Sequence, residues 1–343
     1  MSNLPGPHVT AMRAARFRGN GNIEVLEVDR PEPGQGEVVL RVHSCALCGS
    51  DRDGYLNGSP VTPGHEVAGV IDAVGEEVTL ARGTPGVVYL VGYCGRCYCC
   101  RRNLTNMCID KQQMYGFSDD GGFAEYIVVR ADCFLEIPEA VPLDHATALL
   151  DLYGTTNHAF RRAGGAASKS VLVVGCGPIG IGAISTARAA GAERVVALDV
   201  APYRLRLADA LGAVALDARS TEVEQRVLED VPDGFDIVIE AAGLSATQRQ
   251  AISLAAPGGK VVFVAHNRDP VEIRVSAELI QSEKTVLGSE YFPKAEFAEN
   301  LVLLLSGALD PAAVITHRFS LDDISEAFRA FMDGQSGKVL VQP

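Results

Sequence analysis

The stretch Val171-Leu-Val-Val-Gly175-Cys-Gly177-Pro178-Ile179-Gly180 constrains this chain more than any other. A short apolar run reads as a buried strand, and the Ala-rich text after it, to about Ala190, reads as a helix. Between them lies Gly-x-Gly-x-x-Gly. Gly175 permits a tight turn, Gly177 lets backbone approach a pyrophosphate, and Gly180 allows a helix to pack closely on its strand. Pro178 and Ile179 open the helix, whose N-terminal N–H groups favour an anion. At the end of the next strand, Arg194 to Leu198, stands Asp199. A carboxylate there accepts ribose hydroxyls and repels a 2′-phosphate, so NAD is expected over NADP. Arg204 can contact the ribose or the adenine, which keeps NADP in view.

The same text continues through apolar strands at Asp236–Ile239, Val261–Val264 and Thr285–Leu287, with helices between. That alternation predicts a parallel sheet covered on both faces, a doubly wound α/β domain. Upstream, from Met12 to about 140, short β-branched runs such as Ile23–Val28, Glu37–Val42 and Phe123–Val129 are cut by Gly and Pro. They predict a mostly β, barrel-like unit. One helix is expected over Leu143–His158, another over Phe297–Leu305, and a last strand at Lys338–Val341. Residues 1 to about 12 read as a loose polar arm.

Composition excludes several classes. With 343 residues, two domains are expected. Thirty Lys+Arg against 43 Asp+Glu leave a net charge of −13, which disfavours nucleic acid and anionic membrane as partners. The longest uncharged run, Ser170–Ala187, reaches membrane-span length but carries four glycines and a proline, so it is not read as a span. The N-terminus has no basic-then-apolar signal pattern, so a cytoplasmic location is expected. The nine cysteines then read as thiols or metal ligands before disulfides.

Two clusters stand out. Cys94, Cys97, Cys100 and Cys108 fall in one polar loop with Cys-x2-Cys steps, the spacing of a closed four-thiolate zinc site without an open coordination position. An iron–sulfur cluster or disulfides are the alternatives. Cys99 breaks the rhythm and reads as a bystander. Separately, Cys48-Gly-Ser50-Asp51 precedes Gly64-His65-Glu66. Thiolate and imidazole both suit zinc, Ser50 can hydrogen-bond a metal-held oxygen, and Asp51 can orient His65 through its second ring nitrogen. Cys45, Cys133 and Cys176 read as small buried groups. His145 and His158 read as packing residues.

Taken together, these motifs resemble the zinc-containing medium-chain dehydrogenase/reductase family, over residues of about 12 to 343. The resemblance implies a GroES-like catalytic domain, 1–152 and 290–343, split around a Rossmann NAD-binding domain, 153–289. It implies one catalytic and one structural zinc per chain. It places Asp151 as third ligand beside Cys48 and His65, with Glu66 as a neighbouring carboxylate that can reach the metal. Thr155 falls where the family contacts the nicotinamide, Val264-Ala265-His266 and Ser289-Glu290-Tyr291 match the backbone stretches lining the nicotinamide side, and Lys338 falls where a basic residue meets the pyrophosphate. Where many members carry a proton-relay His, this chain has Asp53. The resemblance implies hydride transfer from an alcohol, or to a ketone, of small-molecule size, and a homodimer or homotetramer. The acidic ligand Asp151 favours a secondary alcohol on a polyol, sugar or cyclitol. An aminoglycoside or other secondary-metabolite alcohol is the alternative, and a non-catalytic NAD-binding protein is the alternative from another class.

Overall fold

A computed structural model describes residues 10–343. Its six-stranded parallel sheet runs Val214–Asp217, Arg194–Asp199, Ser170–Val174, Phe235–Glu240, Ala255–Phe263, Thr285–Gly288. The first strand in sequence, Ser170–Val174, lies in the middle, and the chain winds first to one side and then to the other. Strand order therefore reverses beside its carboxyl end, where ligands bind in open α/β sheets. Its core is aliphatic: Val171, Val173, Ala183, Ile184, Ala197 and Ile239 are fully buried, and each large aliphatic side chain contributes about 1.5–3 kcal/mol by leaving water.

A seven-stranded sheet holds the other core. Its path is Ile315–Ser320, Lys338–Gln342, Glu37–Ala46, Glu66–Val74, Pro85–Val88, Phe134–Glu136, and Tyr126–Arg130 pairs with Glu37–Ala46. Strands from both ends of the chain share this sheet, so the parallel sheet is inserted between them. Phe17, Phe123 and Phe328 pack edge-to-face and stacked at its centre, with ring centroids 5.0–6.0 Å apart.

Three expectations are corrected. Leu143–His158 is not one helix. It breaks into Leu143–Ala146, a 3-10 turn Thr147–Leu149, a π-helical turn Asp151–Thr155 and a helix Thr156–Ala163. Leu150, at φ −82° and ψ −114°, lies outside the helical region and turns the chain. Apolar spacing marks which face is buried but does not register such a break. Second, Phe123 and Glu125 precede the Tyr126–Arg130 ladder: the Phe123 carbonyl accepts from Ala15 N, and Glu125 N donates to the Arg13 carbonyl while the Glu125 carbonyl accepts from Val42 N. Third, the expected arm is strand from Ala11 onward; its residues 1–9 lie outside the described part. Among the described residues, no helix is long and apolar enough to cross a membrane.

Candidate active site and metal centres

The π-helical turn decides where the site forms. After the kink at Leu150, Asp151 points inward while the following turn packs on the helix Pro178–Ala189: an ideal Cβ on Gly182 would lie 2.4 Å from the Leu152 carbonyl oxygen. Single π turns recur at functional sites because they re-aim one residue without ending the helix. On the other side, His65 follows Gly64, whose φ of +97° needs glycine and whose ideal Cβ would lie 2.7 Å from Cys45 Sγ. Cys48 ends the crossing from the strand Glu37–Ala46, and its N–H donates to Asp51 Oδ2 at 2.9 Å.

These three segments bring Cys48, His65, Glu66 and Asp151 together, all buried, with one ligand atom each inside a cluster no wider than 4.8 Å. The Cys48 thiol lies 3.1 Å from Asp151 Oδ2, and His65 Nε2 lies 3.1 Å from the same oxygen. Ser50 is exposed, with Oγ 3.2 Å from His65 Nε2. His65 Nδ1 faces Asp51 Oδ1 at 3.1 Å, on a bent approach. Burial works against an imidazolium here, but Asp51 and Asp151 overcome it and hold the His65 pKa well above its usual value. Burial pushes the Cys48 thiol up, and Asp151 pushes it further.

The donor set fits a cation. Asp151 Oδ1 and Glu66 Oε2 are buried acceptors with no hydrogen-bond partner. Two such carboxylates beside a thiol are costly in a dry interior unless positive charge joins them. One thiolate, one imidazole and carboxylate oxygen are zinc ligands.

Lys338 has a different partner from the one expected. It is fully buried, its Nζ pairs with Glu66 Oε1 and donates to the Leu47 carbonyl at 3.1 Å. With no exposed surface, it has no face toward a pyrophosphate in this conformation, because neutralising Glu66 in a dry interior takes its charge. Asp53 is not brought to the cluster either. It is exposed and accepts from Asn57 Nδ2 at 2.9 Å, within its own short helix.

The four-cysteine lobe is separate and closed. Cys94 Sγ lies 4.0 Å from Cys100 Sγ, and Cys97 Sγ lies 3.9 Å from Cys108 Sγ. A tetrahedron with Zn–S near 2.3 Å has an edge of about 3.8 Å. Backbone N–H groups of Cys94, Cys97 and Cys100 lie 3.3, 3.4 and 3.5 Å from neighbouring sulfurs. Backbone donors at Cys100 and Ile109 lower the Cys97 thiol to about 6, so it is readily a thiolate. Cys99 is buried outside the cluster. Cys45, Cys133 and Cys176 are buried; His145 is half-buried, and His158 bonds Glu296 at 3.0 Å.

In the glycine loop the three glycines have distinct surroundings. Gly175 has φ +92°; a Cβ on Gly177 would meet nothing nearer than Arg204 at 3.9 Å; a Cβ on Gly180 would lie 1.8 Å from the Gly175 oxygen. The open space is at Gly177, where the helix begins with Pro178 and Ile179. Asp199 ties the loop down: Oδ2 accepts from Cys176 N at 2.6 Å, and Oδ1 from Val200 N and Ala201 N. Arg204 donates to the Phe331 carbonyl at 3.2 Å, beside that loop. Thr155 and Ser289 are buried, Val264 and Ala265 half-buried, and His266 exposed.

Two further aromatic residues lie near the cluster, and one of them, Phe117, escaped the sequence. Phe117 lies on the His65 ring, centroids 4.8 Å apart. Tyr291 is buried with its hydroxyl unpaired; burial first, then Asp151, raises its pKa well above the usual value. The signal for Phe117 was the glycines around it: ideal Cβ atoms on Gly116 and Gly121 would lie 2.9 and 2.1 Å from Gly64 backbone atoms, so its loop must lie on His65. Tyr291 ends the stretch Ser289-Glu290-Tyr291 that the resemblance places along the nicotinamide side, and only the fold shows its hydroxyl buried near the cluster.

Residues 34–139 match an alcohol dehydrogenase GroES-like domain model, and residues 178–306 a zinc-binding dehydrogenase model. An L-threonine 3-dehydrogenase of Anaeromyxobacter sp. (strain Fw109-5) is 34% identical, covering 94% of this chain and 96% of that protein. A zinc-binding dehydrogenase of Sinorhizobium meliloti 1021, solved with NADP bound, superposes with TM-score 0.88 at 32% identity, covering 97% of this chain and 99% of the other. Galactitol-1-phosphate dehydrogenase of Escherichia coli superposes with TM-score 0.87 at 30% identity, covering 97% and 100%. With both family models in the expected order and relatives matched nearly end to end, this chain belongs to the zinc-containing medium-chain dehydrogenase/reductase family.

Proposed function

We propose that this protein oxidises a secondary alcohol of a polyol, sugar or cyclitol to a ketone, reducing NAD to NADH and releasing one proton. The observation that carries this reading is the buried convergence of Cys48, His65 and Asp151 beside the exposed hydroxyl of Ser50. Cys48, His65 and Asp151 would hold a zinc ion, with Glu66 in reach, and its Lewis acidity lowers the pKa of an alcohol hydroxyl. The Gly175–Gly180 loop, Asp199 and Arg204 would hold NAD, which accepts the hydride. A second zinc would sit in the four-cysteine lobe and only support the fold.

The remaining work falls to the protein's own side chains. Ser50 Oγ accepts the proton leaving the substrate hydroxyl and passes it outward, being at the exposed edge of the site. Asp53, engaged with Asn57, is out of that line, so solvent receives the proton. Asp51 holds the Cys48 backbone and faces His65 Nδ1, which keeps both groups aimed inward. Phe117 covers the imidazole and excludes water from it. Lys338 neutralises Glu66 behind the ligands.

The acidic third ligand supports a polar substrate. The threonine 3-dehydrogenase relative makes an amino alcohol the second class to assay. The test combines elemental analysis with NADH formation across polyols, sugars, cyclitols and amino alcohols. Two zinc ions per chain and turnover of one class are expected. No turnover on any alcohol in the zinc-loaded protein refutes the reading.

A further inference from the structure

The turn that carries Asp151 is clamped from two sides, and one clamp contains polar groups that packing does not require. On one side Phe292 fills the space where Gly154 lacks a side chain, 2.4 Å from an ideal Cβ. On the other the helix Pro178–Ala189 lies on the Leu152 carbonyl oxygen, which an ideal Cβ on Gly182 would meet at 2.4 Å. One helical turn past Gly182, on the same face, stands Thr186. Its Oγ1 lies 2.8 Å from Thr156 Oγ1, and Thr156 Oγ1 donates to the Leu152 carbonyl at 2.7 Å. Both threonines are buried.

A hydroxyl has one hydrogen to give. Thr156 gives its hydrogen to Leu152, the Tyr153 carbonyl at 3.4 Å being the weaker acceptor. Thr186 is therefore the donor to Thr156. A directed chain runs from the helix through two hydroxyls to the carbonyl of the residue after Asp151. A threonine that bonds the carbonyl four residues back is a common local habit of helices. A second hydroxyl from 30 residues away is not local. Two valines would fill the same seam, because replacing both partners of a buried hydrogen bond by apolar groups of like shape is nearly neutral for stability. What the hydroxyls add is direction. An apolar contact lets the turn slide along the helix, whereas a short hydrogen bond, with its narrow range of distance and angle, fixes where the Leu152 carbonyl stands.

We infer that Thr156 and Thr186 are positioning residues for the metal centre: their hydroxyl chain fixes the π-helical turn Asp151–Thr155 on the helix Pro178–Ala189 and thereby holds Asp151 Oδ2 at 3.1 Å from both Cys48 Sγ and His65 Nε2. This rests on Asp151 being a ligand in the proposed function. The same helix opens on the Gly175–Gly180 loop, so the third ligand is registered against the element that would hold the dinucleotide. Neither threonine belongs to the ligand cluster, and both act through Asp151.

The experiment follows zinc release from the zinc-loaded protein into a chromogenic chelator, a readout of the metal rather than of turnover. The release that Cys48→Ser removes belongs to the buried cluster, and the release that Cys97→Ser removes belongs to the four-cysteine lobe. Thr156→Val is expected to speed the cluster release by about tenfold or more, the worth of a group that orients a metal ligand, and Thr156→Ser to return it to within about twofold of wild type. Thr186→Val, which leaves the Leu152 carbonyl its donor, speeds it by less. Lobe release stays as in wild type and serves as the internal control, since a general loosening of the fold speeds both. An unchanged cluster release in Thr156→Val, equal acceleration at both sites, or no recovery in Thr156→Ser overturns the inference. If Thr156→Val shows no melting transition, Thr186→Val decides by the same criteria. Asp151→Ala separates the two readings. Where it speeds cluster release and Thr156→Val does not, the positioning role alone falls; where it leaves cluster release as in wild type, the ligand set of the proposed function falls and takes the positioning role with it.

Discussion

The two metal-ligand clusters are built on opposite plans. The four-cysteine lobe draws its sulfurs from one loop, Cys94 to Cys108, with Cys94 and Cys97 half-exposed. Backbone N–H groups point at those sulfurs and already lower the Cys97 thiol. The second cluster takes Cys48, His65, Glu66 and Asp151 from segments that meet only when both sheets are in place, and all four are buried. There burial raises the Cys48 thiol, and two carboxylate oxygens are left unpaired. A closed local shell of this kind would use a cation to hold a loop, whereas an assembled, buried and incompletely satisfied shell would need its cation and leave coordination over for a ligand.

Three experiments bear on this contrast. The largest effect is expected on stability at the lobe. Cys97→Ser should lose one zinc per chain and lower the melting temperature by more than about 5 °C, given that structural zinc contributes roughly 10 kcal/mol or more to small folds. Calorimetry with elemental analysis checks it; an unchanged melting temperature with the metal gone would show that the lobe is not structural. Next, Cys48→Ser should cut turnover by at least ~100-fold, more than outer-shell changes cost, and leave the melting temperature within ~2 °C and NADH binding intact. Turnover near wild type removes Cys48 from the ligand set. Smallest is Asp199→Ala. It should narrow the preference for NAD over NADP by about tenfold, the worth of one charge-assisted hydrogen bond, and weaken both cofactors because the Cys176 N–H loses its acceptor. An unchanged ratio assigns Asp199 to the loop alone.

Legibility in the sequence follows the same division. Ser170–Val174, Pro178–Ala189, Arg194–Asp199 and Phe297–Leu305 lie within a residue or two of their expected spans, because a continuous apolar run or a helical period is a local signal. The four lobe cysteines were legible for the same reason. The break at Leu150 was not, since the apolar residues on both sides of a π turn keep a helix-like spacing. Nor was the partner of Lys338, which follows from pairing Lys338–Gln342 with Glu37–Ala46 in one sheet.

The residues themselves determined that this chain carries a dinucleotide loop, a thiolate lobe and an alternating parallel sheet, because glycine sterics, thiol spacing and apolar runs act over a few neighbours. The tertiary structure alone decided that Asp151 turns inward onto Cys48 and His65, that Lys338 settles on Glu66, and that Asp53 stays on its own helix. Those outcomes depend on which distant segments are packed together, and on where a charge buried by that packing finds its counter-charge.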